Sequence, residues 1–305
     1  MVIIINDETI DFTLENERTL GEVLEALESW LGRSNLIMTS ARADDRDLTE
    51  QTRRQWSDLP PDQIATLNVS ARLVKEVHAN SLETLLQYFD LFGRALKDRD
   101  VDNLEQLLDG RSDMSLSLHT LLKPSPDTEW GRTIAELDTL LSGSTAHDVL
   151  AWPEGVAARA SQLIAFVRAK LRERLTEITD PMKSLRDAAE ELDSMRQELG
   201  GVSVHLQTNE EKRAMSTIIS FSDLSHRILR ILSYLEDSGR ISLSELTIGG
   251  SNVRSFFDDL NQVLRELIEA FKMEDFVLIG DLVEYEITPR LEVFSGFTKE
   301  ICCGS

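Results

Sequence analysis

The chain predicts an α+β protein, a small mixed sheet with one helix followed by a mainly α-helical bundle of long amphipathic helices. Three observations carry that expectation. Val2–Ile5 is a run of β-branched residues, and Ile10, Phe12 and Leu14 alternate with Asp11 and Thr13, the patterns of a buried and a half-buried strand. Leu20, Val23, Leu24, Leu27, Trp30 and Leu31 then recur at helical spacing. From Glu76 onward the apolar period stays near the 3.6 of an α-helix.

In chain order, Asn6-Asp7-Glu8 supplies turn chemistry between the first strand and a second from Ile10 to Leu14, in a loop expected to exceed two residues. Thr19 reads as the N-cap of the helix, with Glu22 three residues later completing a capping box and Gly32 closing it as the left-handed residue. Leu36–Met38 and Leu67–Val74 are the remaining clear strands, and Asp58-Leu59-Pro60-Pro61-Asp62 breaks the chain before the last. Helices are expected over Asn80–Lys97, Val101–Leu108, Thr128–Leu141, Ala157–Thr179, Met182–Leu199, Glu210–Leu235, Ser255–Phe271 and Phe276–Val293. Lys123-Pro124-Ser125-Pro126 reads as a linker and Gly249-Gly250-Ser251 as a soft connection. The expected domains are residues 1–75, 76–180 and 181–305. Ala95–Val101 resembles Ala270–Phe276, and Leu104, Leu107 and Leu108 match Ile279, Leu282 and Val283. Each copy reads as helix, acidic turn, helix, which fits either one helical hairpin used twice or a coincidence between two amphipathic helices.

The order strand, strand, helix, then further strands over residues 1–74 resembles the ubiquitin-like β-grasp. That resemblance implies docking rather than conjugation, because a free Gly-Gly end directly after the last strand is missing and the chain continues. The stretch Val277-Leu278-Ile279-Gly280-Asp281-Leu282-Val283-Glu284-Tyr285-Glu286-Ile287-Thr288-Pro289-Arg290-Leu291 resembles the end of an uncharacterised bacterial helical domain family. The hairpins are also similar in character to flagellar and secretion export chaperones, acidic helical proteins that hold a partner's helix.

Composition narrows the function. The 305 residues carry 54 acids against 32 Lys and Arg, a net charge of −22. The excess is distributed, with 14 acids against 8 bases in residues 1–75. Such a surface repels nucleic-acid phosphates and anionic lipid. No apolar run approaches the ~18 residues of a membrane span, and the start lacks a signal-peptide pattern. Cys302 and Cys303 are neighbours near the C-terminus and offer no disulfide framework. The expectation is a cytoplasmic protein without nucleic-acid or membrane partners, able to form homo-oligomers.

Chemistry-bearing motifs are missing. Neither GxGxxG, GxxxxGK[ST] nor GxSxG occurs. The five histidines form no HxxxH or HExxH pair, and Asp223-x-x-His226 stands alone. Asp98, Asp100, Asp102 and Asp109 echo an EF-hand loop, but Asn103 replaces its turn glycine and Glu is missing at the twelfth place, so a helical hairpin explains the segment. Carboxylates such as Asp258/Asp259 or Asp281/Glu284/Glu286 belong to a chain in which acids are everywhere. No catalytic residue, metal site or cofactor is therefore assigned.

The function expected is protein interaction, as a scaffold, adaptor or chaperone-like protein, docking through the sheet and through apolar helical faces. The candidates are Phe256, Phe257, Leu260, Leu264 and Leu267 on one helix, with Trp30 and Trp56 in the N-terminal domain. Two alternatives stay open: an enzyme or metal-dependent regulator using buried carboxylates of the helical body, and a self-assembling structural protein.

Overall fold

A computed structural model describes residues 1–12, 17–49, 52–123 and 128–303, which fall into two compact units, Met1–Ser81 and Leu82–Ser305. The expected positions Thr13 and Leu14, Pro124 to Pro126 of the linker, and Gly304-Ser305 lie outside the described residues.

The first unit is a five-stranded mixed sheet of β1 (Val2–Ile5), β2 (Glu8–Ile10), β3 (Leu36–Ala43), β4 (Arg46–Leu48) and β5 (Thr66–Leu73), with helix α1 (Leu20–Gly32). The strand order is β2-β1-β5-β3-β4, with β1 parallel to β5 and the other pairs antiparallel. Leu20, Val23, Leu27 and Leu31 of α1 pack on Ile3, Ile5, Leu67 and Val69 of the central strands, all nearly or fully buried. A four-residue helix α2 (Arg53–Trp56) and a short 3-10 turn (Pro61–Gln63) precede β5.

Two turns differ from expectation. Ile5 pairs directly with Glu8, so Asn6 and Asp7, both at positive φ, form a two-residue hairpin turn and β2 starts at Glu8. Asn6 also bridges to β5, donating from Nδ2 to the Ala71 carbonyl and accepting from the Ala71 N–H, each at 2.9 Å. Thr19 does cap α1, accepting from the Glu22 N–H at 3.3 Å, but Glu22 reaches back to the Arg18 N–H. Gly32 is the last helical residue, and the left-handed position is Asn35 at φ 53°. Asn is among the few residues besides glycine that tolerate it.

Helix α3 (Val74–Asp98) follows β5 directly, starting six residues before the expected Asn80. The second unit continues with α4 (Val101–Asp109), α5 (Arg111–Leu122), α6 (Glu129–Leu141), α7 (Ala146–Leu150) and α8 (Glu154–Thr179). Then come α9 (Pro181–Gly200), α10 (Val202–Gln207) and α11 (Glu211–Asp237). A two-stranded ribbon, β6 (Thr247–Ile248) and β7 (Ser251–Asn252), turns through Gly249 and Gly250 at φ 60° and 86°. A Cβ on Gly249 would also come within 3.0 Å of Val293, so glycine meets both the conformation and the space. The chain closes with α12 (Val253–Lys272), α13 (Phe276–Asp281), a π-helical stretch (Leu282–Ile287) and α14 (Thr288–Cys303). Helices α5, α7 and α10 were not expected, the first because its apolar residues do not gather on one face.

This unit holds two apolar cores. One runs from Leu82 to Leu171 around Phe89, Phe92 and Ile164, the other from Met182 to Ile301 around Phe221, Phe257 and Phe294. They divide near Pro181, where the sequence places a boundary, yet both lie in the one compact unit.

The repeated hairpin has one geometry in both copies. Arg99 and Glu274 take φ 56° and 55°, and the Asp100 and Asp275 N–H groups each donate 3.0 Å back to Ala95 and Ala270. The same two aspartates then cap α4 and α13, accepting from Asn103 at 3.2 Å and Leu278 at 3.0 Å. A Schellman close passes straight into an Asp N-cap.

Candidate functional site

Helix α12 carries one of the broadest apolar stripes in the sequence, and the structure splits it. Phe256, Phe257, Leu260, Leu264 and Leu267 are all less than 8% exposed and belong to the C-terminal core. Phe256 and Phe257 clasp Phe294 of α14 at ring distances of 5.4 and 5.3 Å. Their burial assigns them to packing, so this stripe is not an open face. Trp56 is also buried, its Nε1 donating to the Thr49 carbonyl at 3.0 Å, which makes it a cover for the N-terminal core. Trp30 is the expected candidate that remains exposed, edge-on to Phe12 at 6.3 Å.

The apolar surface that does face solvent begins where α12 ends. Residues 272–278 are exposed without a break, and they include Met273, Phe276, Val277 and Leu278, with Val277 75% exposed. Ile268, one turn earlier on α12, is exposed as well. Four large apolar side chains in seven exposed residues form a patch of the kind that marks interaction sites. Local structure holds it in place. The Asp275 cap starts α13, Ile279 buries the inner side of that helix, and Gly280 lies against Ser203 of α10. The surroundings are acidic, with Glu269, Glu274, Asp275, Asp281 and Glu284 exposed against Lys272.

The next six residues widen into a π-helix, and Pro289 is the cause. It has no N–H for the Tyr285 carbonyl, and its ring crowds that oxygen. The Thr288 hydroxyl instead donates to Val283, five residues back, at 2.8 Å. The wide turn leaves Tyr285 66% exposed, and single π-turns of this kind gather at functional sites.

A second feature of the same unit is an open cleft of about 990 Å³ bordered by α6, α8, α9 and α11. Trp130, Phe166, Met215, Ile219 and Phe271 supply its apolar wall, with Trp130 and Phe166 stacked at a tilt 6.2 Å apart. Lys and Arg outnumber Asp and Glu along its lining, seven to five, in a chain with 32 against 54. Glu177 of α8, fully buried beside this cleft, meets Arg174 at 2.9 Å, Arg230 at 3.2 Å and Arg227 at 3.5 Å. Arg227 also reaches Glu173 at 3.1 Å and Glu191 at 2.9 Å, which ties α8, α9 and α11 together. Burial pushes the Glu177 carboxyl up to about 7, outweighing the pull of Arg174 and Arg227. Desolvation likewise raises Asp223, against His226 and Lys170.

Glu177 is the buried carboxylate that the sequence reading did not single out. Spacing alone cannot separate it from Glu173 one turn earlier, which stays 25% exposed. The carboxylates that reading did name, Asp258, Asp259, Asp281 and Glu284, are exposed, and Glu286 is half-buried. Among the described residues, no group of three or more His, Cys, Asp or Glu side chains could hold a metal ion, and no helix is long and apolar enough to cross a membrane. Cys302 is half-buried with its thiol pushed up by burial, and Cys303 is exposed.

Residues 1–72 match the model of a family described as the TP0873 N-terminal domain, and residues 183–296 match a domain of unknown function, DUF8042. The second match contains the 277–291 stretch, the exposed patch and most of the core behind it. No curated protein and no solved structure matches the chain.

Proposed function

We propose that this protein is a non-enzymatic interaction protein, an adaptor or chaperone-like scaffold of the cytoplasm, that docks a protein partner on the patch formed by the end of α12, α13 and the π-helical turn. The observation that carries this reading is the unbroken exposure of Met273, Phe276, Val277 and Leu278 on a rigidly capped turn. Met273 and Val277, 66% and 75% exposed, leave most of the roughly 1.5–3 kcal/mol of a fully buried side chain unrealised, which association would recover. The acidic surroundings select a partner surface that is apolar and rimmed by Lys or Arg. The ubiquitin-like reading of the N-terminal sheet adds a second docking element, with Trp30 its most exposed aromatic.

The test is photo-cross-linking in the native cell, with a benzophenone amino acid in place of Val277 and, as control, in place of the exposed Glu105. A protein adduct at 277 that is missing at 105, and that Phe276→Asp suppresses, supports the docking reading. No adduct at 277, or the same adducts at both positions, overturns it.

A further inference from the structure

The exposed patch has a counterpart elsewhere in the same unit. The α3–α4 turn closes through the same left-handed residue, the same backbone bond to alanine and the same aspartate cap as the α12–α13 turn. Its inner side is filled alike, with Ala95 and Leu104 buried where Ala270 and Ile279 are. Its outer side is polar. Asp98, Asp102 and Asn103 are exposed at the places that Met273, Val277 and Leu278 take in the later turn. The hairpin geometry therefore does not call for apolar residues on that side, and their presence on one turn alone points to a contact that packing within the hairpin does not require.

Spacing and charge narrow what makes that contact. Met273, Val277, Asp281 and Tyr285 follow one another at four-residue intervals, and all four are exposed. Rows of this spacing are the ridges that pack into the grooves of a second helix. From 269 to 286 the chain carries six acids against one lysine. Lys272 is taken up by Glu269 at 2.7 Å, Glu286 is paired with Arg290, and Asp275 caps α13. Glu274, Asp281 and Glu284 are exposed and make no ion pair among the described residues. We propose that the occupant of the patch is a basic amphipathic helix of the partner protein, laid along the Met273–Tyr285 row with its apolar seam on Met273, Val277 and Tyr285 and its Lys or Arg side chains on Glu274, Asp281 and Glu284. The inference rests on the docking reading and names the kind of segment that docks. The apolar row supplies affinity, and the three unpaired carboxylates select the sign of the flanks. An anionic membrane or the same face of a second copy would bring like charge onto them.

Length along the row supplies the test. Val277 and Tyr285 are two helical turns apart, about 12 Å at ~1.5 Å per residue. A benzophenone amino acid replaces Val277 and, separately, Tyr285 of the full chain in the native cell, and the captured segments are sequenced by mass spectrometry. Both positions are expected to capture one segment of one protein, at sites about eight residues apart for a helix against about four for a strand. That segment is expected to carry apolar residues at helical spacing with Lys or Arg beside them. A synthetic peptide of it is expected to bind the wild type in fluorescence anisotropy at physiological salt. The triple reversal Glu274→Lys, Asp281→Lys and Glu284→Lys is expected to weaken that binding at least about ten-fold. The equal reversal on the other hairpin, Asp98→Lys, Glu105→Lys and Asp109→Lys, is expected to change it less than about two-fold, because screening confines exposed charges to about 8 Å; all six side chains are exposed. Giving the patch the residues of the first hairpin, by Met273→Asp, Val277→Asp and Leu278→Asn, is expected to abolish binding with helical circular dichroism unchanged. Capture sites about four residues apart, a segment without Lys or Arg, a segment of this same chain, or equal losses from the two reversals would each overturn the inference and leave the docking reading standing. No adduct at either position sinks that reading as well.

Discussion

Replacing Glu177 with Gln tests how the arginine-rich seam of the helical unit is balanced. Glu177 is fully buried, with three arginines within 3.5 Å. Two effects compete there: the arginines favour the carboxylate, and loss of water disfavours it. With the carboxyl raised from 4.5 to about 7, desolvation wins. The folded state then holds this proton more tightly than the unfolded chain. The resulting stability is fully present below about pH 4.5 and is lost as pH rises through about 7. At about 1.4 kcal/mol per pH unit, ionising Glu177 costs about 3 kcal/mol above that window, of which about 2–3 kcal/mol develops between pH 5 and pH 8. Gln keeps the shape and the hydrogen-bonding oxygen but cannot ionise. Urea unfolding followed by helical circular dichroism, at pH 5 and pH 8 for both proteins, isolates the difference. Other groups that titrate, Asp223 among them, cancel in the comparison. The Gln variant is expected to match the wild type within about 1 kcal/mol at pH 5 and to exceed it by about 2–3 kcal/mol at pH 8. A Gln variant less stable than the wild type at pH 8 would refute the reasoning. It would mean that the ionised carboxylate is the favoured partner of the arginines and that leaving their charge unmatched is the larger cost.

Two further outcomes follow from packing and backbone geometry. Phe294→Ala removes a fully buried ring that touches Phe256 and Phe257, and it is expected to cost roughly 3–5 kcal/mol in urea unfolding, the range for a buried phenylalanine truncation. Glu274→Gly relieves a left-handed residue at φ 55° and is expected to raise the urea midpoint, by about 0.5–1 kcal/mol of stability, with no loss of helical signal.

Much of the fold was legible because local patterns carry it. Thr19, Thr128 and Asp180 cap α1, α6 and α9 through their side chains, and the alternation of strand and helix periods places the sheet before the helices. Boundaries slipped where a local signal had two readings. Asn6-Asp7 serves a tight hairpin as readily as a longer loop, and Gly32 could close α1 although Asn35 takes the left-handed turn. The break at Leu282–Ile287 was foreshadowed by Pro289, but a proline can end, kink or widen a helix, and here the Thr288 hydroxyl supports the widening. The surface was far less legible. On a helix an apolar residue looks the same whether it meets another ring or water, so spacing alone does not separate the buried Phe256 and Leu264 from the exposed Met273 and Val277.

The class of fold, the order of its elements, the acidic character of the surface and the two acidic turns at Asp98–Asp100 and Met273–Asp275 are written in the sequence. Each of these depends on neighbours along the chain, through periodicity, capping and charge. The tertiary structure decided which apolar stripe became core and which was left exposed, and that Glu177 rather than Glu173 was cut off from water. It also decided that cations from α6, α8 and α11 would gather at one cleft. Those outcomes depend on which helices meet, and residues as far apart as Arg132 and Arg230 share a surface only once the helices have packed.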